Sequence, residues 1–166
     1  MTQLITTAAI ADAAVTTAKH LDASLTQAKL AANVAGNGAA FSVYRSGGQT
    51  ISTWATVAAD AKEYDTANAV SAGVFTAPVA GYYQFNGYAG GATTPCVTQI
   101  RFNKNAGAAY YLGTYMTGTA NAVSQSALIL LAAGDTVRMD VQLATSQSIS
   151  TGIGGNFFQG FLARSV

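Results

Sequence analysis

The rhythm of hydrophobic positions changes near residue 38. Upstream, Ile5, Ile10, Val15, Leu21, Leu25, Leu30 and Val34 recur roughly every five residues. That interval matches neither the period of about 3.5 of a coiled coil nor the period of about 2 of a strand. It reflects three near-copies of one phrase, which open as Ile5-Thr-Thr-Ala, Val15-Thr-Thr-Ala and Leu25-Thr-Gln-Ala. Thr6, Thr16 and Thr26 can each cap a short Ala-rich turn, with the aliphatic residue before each one extended. No aromatic residue precedes Phe41. A segment so poor in bulk cannot build a core from one chain; it becomes ordered by packing on copies of itself. Residues 1–38 are therefore expected to form a stalk of three chains, packed through Ile5, Ile10, Val15, Leu21, Leu25 and Leu30. The other reading is an Ala-rich amphipathic helix or a flexible tail, since a lone short helix is marginal in water.

Gly36-Asn-Gly38 breaks the repeat and reads as a hinge. From residue 39 to 166 the pattern is different. Every Phe, Tyr and Trp lies here, and β-branched and aromatic runs alternate with Gly, Asn, Ser and Pro. Strands are predicted near 40–45, 50–58, 73–77, 81–89, 97–104, 109–117, 122–132, 136–143 and 156–164. Short strands at this spacing predict an all-β sandwich or jelly roll. In Tyr82-Tyr-Gln-Phe-Asn-Gly-Tyr88, strand alternation puts Tyr83 and Phe85 on one face and Tyr82 and Gln84 on the other. One face fills the core; the other packs on a neighbouring subunit or stays partly wet. Gly134-Asp135 predicts a tight turn, with the Asp side chain capping it.

Composition sharpens this picture. Of the 166 residues only 9% are charged, and the net charge is +1. So few charges suit a chain that buries much of its surface between subunits, or wets it with Thr, Ser, Asn and Gln. Lys and Arg are scattered, which argues against a surface that tracks nucleic-acid phosphates. The most apolar run, Ala127 to Ala133, is too short to span a bilayer, so no membrane insertion is expected. The N-terminus has no basic run leading into an apolar stretch, so it does not read as a signal peptide. The chain is expected to be made in a cytoplasm.

Four blocks, taken in order, resemble the complement C1q-like globular domain, a relative of the tumour necrosis factor fold. The central one is Phe75-Thr-Ala-Pro-Val-Ala-Gly81-Tyr-Tyr83-Gln-Phe85. Ala40-Phe41-Ser-Val-Tyr44 resembles the opening strand, and Leu130-Leu-Ala-Ala-Gly134-Asp135-Thr-Val137 the Gly-Asp hairpin. Phe158-Gln-Gly160-Phe161-Leu162 resembles the closing strand. Gly87 and Val57 stand where the family pattern usually has aromatic residues. The resemblance implies a ten-stranded jelly roll that assembles as a tight trimer through apolar contacts. Some family members bind calcium near the trimer axis, but no acidic cluster here matches such a site. The N-terminal phrases resemble repeats in the tail fibres and other appendages of tailed bacteriophages. Together the two resemblances imply a virion protein, released by lysis.

Catalytic parts are sparse. His20 is the single His and Cys96 the single Cys. His-based triads and zinc clusters therefore lack partners, and no cofactor or metal is expected. Glu63 and Asp65 stand close enough to suggest a glycosidase pair or a cation site, but they read better as solvated charges on a loop or edge strand. Gly152-Ile-Gly-Gly155 lacks the Lys-Ser/Thr ending of a phosphate loop. Trp54, Tyr110, Tyr111 and Tyr115 are candidates for surface recognition, although core or subunit interface would use the same residues. The expected function is structural: a homotrimeric fibre that joins other virion proteins through its N-terminal segment, with a knob that binds a host surface glycan or protein. A capsid decoration or head-fibre protein is the alternative. A polysaccharide depolymerase, which would need paired carboxylates in a groove between subunits, is the enzymatic option and the least favoured.

Overall fold

A computed structural model describes residues 38–93, 98–107, 109–112, 122–143 and 145–166. All of them lie in the compact unit spanning Ala32–Val166. The repeat segment, with Ile5, Ile10, Val15, Leu21, Leu25 and Leu30, lies outside the described residues, as do His20, Cys96 and Tyr115.

The described residues form an all-β jelly roll. The first sheet is built from β1 (Ala40–Tyr44), β4 (Ala61–Asp65), β7 (Gly81–Gly90), β10 (Ala122–Leu131) and β13 (Asn156–Ser165), in the order β10-β7-β13-β1-β4. The second holds β5 (Val70–Ser71), β6 (Val74–Thr76), β8 (Thr98–Lys104), β9 (Ala109–Leu112) and β11 (Thr136–Leu143), in the order β5-β6-β11-β8-β9. β3 (Ala55–Thr56) joins the second sheet on β11, beyond the point where β6 stops. β2 (Thr50–Ile51) and β12 (Gln147–Ser148) make a separate small pair. Every strand pairing is antiparallel.

Alternation along each long strand explains the core. On β7 the inward positions are Tyr83, Phe85, Gly87 and Ala89, all buried; on β11 they are Val137, Met139, Val141 and Leu143. Between the sheets Phe41 stacks on Phe75 with ring centroids 4.9 Å apart, and Phe85 on Phe158 at 5.7 Å. Phe102 closes the cluster 5.9 Å from Phe85. Each such ring, taken from water, contributes about 1.5–3 kcal/mol, so this cluster dominates the stability of the sandwich.

One strand expectation is corrected. The run 50–58 is not one strand: Ser52–Trp54 bend, β2 pairs with β12 and β3 with β11. Two-residue strands carry no readable period, which is also why β5 and β12 escape the pattern. Residues 61–65, read as either loop or edge strand, form the edge strand β4.

Candidate functional site

The outward face of the first sheet is the most unusual surface of the described unit. Leu128, Leu130, Phe161 and Tyr82 point away from the core, with 51%, 49%, 47% and 37% of their surface exposed. Strand register gathers them. Leu128 and Phe161 flank Gln84 from either side, and Leu130 lies opposite Tyr82. Further along the same face Tyr88 and Phe157 stack, with ring centroids 5.6 Å apart. A polar band separates the two apolar zones. Gln84 Nε2 donates to Ser126 Oγ at 2.7 Å, and Ser126 Oγ to Asn86 Oδ1 at 2.9 Å. Nearer the β4 edge, Gln159 Nε2 donates to Ser42 Oγ at 3.1 Å, and Ser42 Oγ to Glu63 Oε2 at 2.8 Å. Apolar side chains gathered on one flat face, rather than scattered singly, mark an association surface.

The signature residues divide by role. Phe75, Tyr83 and Phe85 are fully buried and touch one another, with Phe75 5.3 Å from Tyr83 and 5.6 Å from Phe85. Tyr83 keeps its hydroxyl satisfied by donating to Val79 O at 2.9 Å, and burial pushes its pKa up. Gly81 and Gly160 sit where a Cβ would meet Arg164 O at 2.5 Å and the Phe41 and Phe85 rings at 2.8 Å. Gly134 turns the β10–β11 hairpin with a φ of 86°. Asp135 caps that turn by accepting from Ala132 N at 2.9 Å. Phe161, by contrast, belongs to the outward apolar face. Gly87 also has a packing reason: a Cβ there would lie 2.6 Å from Met139 Sδ.

Glu63 and Asp65 are both engaged structurally. Asp65 accepts from Ala69 N and Val70 N at 2.9 and 3.0 Å, and Glu63 anchors Ser42. Among the described residues, no three His, Cys, Asp or Glu side chains converge to hold a metal, and no helix is long and apolar enough to cross a membrane. Tyr110 and Tyr111 lie on β9, with side chains outside the described part.

Trp54 belongs to a cluster that composition did not reveal. It is partly buried on the outer face of the second sheet, and the Arg101 guanidinium sits 4.2 Å from its ring centroid. Register sets Arg101 and Thr56 on either side of Asp140, and Asn103 opposite Arg138. Asp140 Oδ2 accepts from Arg101 Nε and from Asn103 Nδ2, each at 3.1 Å, and Arg101 NH2 makes an ion pair with it at 3.1 Å. Its Oδ1 accepts from Thr56 Oγ1 at 2.8 Å and lies 3.2 Å from Arg138 Nε. The signal for part of this was present in Arg138-Met-Asp140, which alternation puts on one face. Arg101 joins only through register, 39 positions away.

The C1q domain family model matches residues 40–163, and the chain belongs to that family. No curated protein matches it in sequence. Among solved structures it is similar to the globular domain of zebrafish complement 1qA, at 21% identity and a TM-score of 0.63, covering 77% of this chain and 99% of that one. Murine APRIL matches at 10% identity and 0.57, covering 75% and 98%; rabbit GITRL matches at 12% and 0.51, covering 78% and 97%. At these identities the structural likeness establishes the fold. C1q/TNF-like domains typically form homotrimers and are structural or ligand-binding rather than enzymatic.

Proposed function

We propose that the chain is a structural virion protein of a tailed bacteriophage: a homotrimeric fibre whose C1q knob binds a glycan or protein on the host cell surface. The observation that carries the trimer is the apolar outward face of Leu128, Leu130, Phe161 and Tyr82 on a chain with only 9% charged residues. Three copies packed through that face remove it from water, which drives association. The decapeptide phrases upstream of Phe41 support the virion assignment, because such repeats order only by pairing with their own copies. Through them the fibre joins other virion proteins. Three identical knob surfaces on one rigid trimer gain avidity for a repetitive cell surface, so each site needs only modest affinity.

Light scattering on the purified protein tests the assembly: a mass of three chains is expected, and a monomer overturns it. Labelled virions test the location. Signal at the tail supports the attachment fibre. Signal on the head moves the protein to the second reading, a decoration or head-fibre protein.

A further inference from the structure

The polar band on the first sheet is one continuous row, and it is unfinished. Register sets Ser126 beside Asn86, Asn86 beside Gln159 and Gln159 beside Ser42, one residue from each of four adjacent strands. Ser42 reaches Glu63 on β4, the fifth. Hydrogen bonds close the row toward both edges: Gln84 and Ser126 hold Asn86 Oδ1, and Gln159 holds Ser42. Its middle is open. Among the described residues Asn86 Nδ2 donates no hydrogen bond, and Gln84 Oε1 and Gln159 Oε1 accept none. Gln84, Asn86 and Gln159 are half-buried and Ser126 is exposed, so water meets these groups in the single chain. On one side of the row lie Leu128, Leu130, Tyr82 and Phe161; on the other lies the Tyr88–Phe157 stack. Once such a face is covered, every open donor and acceptor needs a partner from whatever covers it.

C1q/TNF-like domains typically form homotrimers, and a second copy brings an identical row. An amide carries both donors and an acceptor, so like rows can satisfy one another. Closed threefold rotation puts all copies at the same height, and row meets row. A copy shifted by two residues along the strands, about 7 Å, sets the row against apolar side chains and leaves its polar groups dry and unpaired. A shifted contact also fails to close, and it propagates as an open chain of subunits. We propose that the row Ser126–Asn86–Gln159–Ser42 fixes how copies of this chain meet: it admits another copy only level with itself, and so selects the closed trimer over staggered association. The apolar zones supply the attraction, and the polar row between them supplies the register, the role in which interfacial polar groups are best attested. Glu63, exposed on the edge strand, keeps its charge in water at the rim. The inference rests on the reading of the apolar face as the contact between copies, and it adds what stops assembly at three.

The full-length protein is compared with two double variants. Asn86→Val with Gln159→Leu makes the middle of the row apolar; Asn86→Ser with Gln159→Thr keeps it polar. Light scattering over a concentration series reads the mass, with reductant present because Cys96 is a free thiol in sequence terms, and circular dichroism reads the fold. The parent and the polar variant are expected to hold three chains throughout. The apolar variant is expected to climb with concentration to about twice that mass or more, as contacts without closure become available. An apolar variant that stays at three chains overturns the proposal. One that falls to single chains does so too, because the row then supplies attraction rather than register. A polar variant that climbs like the apolar one removes polarity from the account and has the same effect. Should the apolar double variant fail to fold, Gln159→Leu alone carries the same expectation. A monomeric parent fails the trimer reading and the row with it, whereas a trimeric parent with an unresponsive apolar variant fails the row alone.

Discussion

At the scale of single residues, the fold depends on positions where a side chain is missing. At Gly160 an added Cβ meets Phe41 Cε1 and Phe85 Cδ1 at 2.8 Å, and both rings are held by their neighbours on every side. Gly160→Ala is therefore expected to cost about 1–3 kcal/mol in a urea titration. Gly87→Ala is expected to cost less, because its nearest obstacle is the flexible end of Met139. Equal losses would mean that the aromatic cluster yields as easily as a thioether. A different economy operates at Ala72. With Gly73 it turns β5 into β6, and both residues are left-handed, at φ 48° and 78°. A two-residue turn with both central φ values positive favours Asn-Gly. Ala72 is exposed and its Cβ opposes the conformation. Ala72→Asn is expected to raise stability by about 0.5–1 kcal/mol; an unchanged melting temperature would show that the strain is already relaxed.

At the scale of elements, the β10–β11 hairpin shows how one carboxylate ties two turns together. Asp135 pairs with Lys104 Nζ at 2.7 Å and accepts from Asn105 Nδ2 at 2.8 Å, so the hairpin is bound to the end of β8 as well as closed on itself. Lys104, followed by Asn105 and the Ala132 N–H, holds its pKa at about 2, against an ordinary 3.8. The folded value lies below the unfolded one. The stability that Asp135 adds is therefore present above pH 3.8 and is lost as the pH falls through 2. Asp135→Asn is expected to flatten the dependence of stability on pH in that window, measured by denaturant melts at steps of acidity; a slope equal to the parent's would remove the carboxylate from the account. This hairpin was legible in the sequence because Gly134-Asp135 is local turn chemistry between two alternating runs. The faces of β7 were legible for the same reason, as Tyr82 to Tyr88 alternate. β2, β3, β5 and β12 were not, since two residues fix no period, and the Trp54–Arg101–Asp140 cluster was not, since it exists only through pairings between distant strands.

At the scale of the whole molecule, the two sheets do different work. The second spends its outward face on polar and charged groups around Asp140; the first leaves Leu128 and Phe161 half in solvent. Because both point away from the core, Leu128→Glu with Phe161→Glu is expected to leave the sandwich folded and to reduce the assembly to single chains. Light scattering reads the mass and circular dichroism the fold, and a trimer that survives both changes would move the contact elsewhere. One consequence of the strand order remains. β1 lies antiparallel on β13, with Ala40 beside Phe161, so the first strand begins at the pole where the last one finishes. The exposed bend at Ile153 and Gly154 lies by the opposite pole, near the other end of β1, where Gly152 N donates to Arg45 O. Covalent order can thus be rewritten without disturbing the packing: a Gly-Ser tether from Val166 to Ala39, with new ends cut at Ile153, yields the same sandwich as a circular permutant that offers its termini where the natural chain offers a loop.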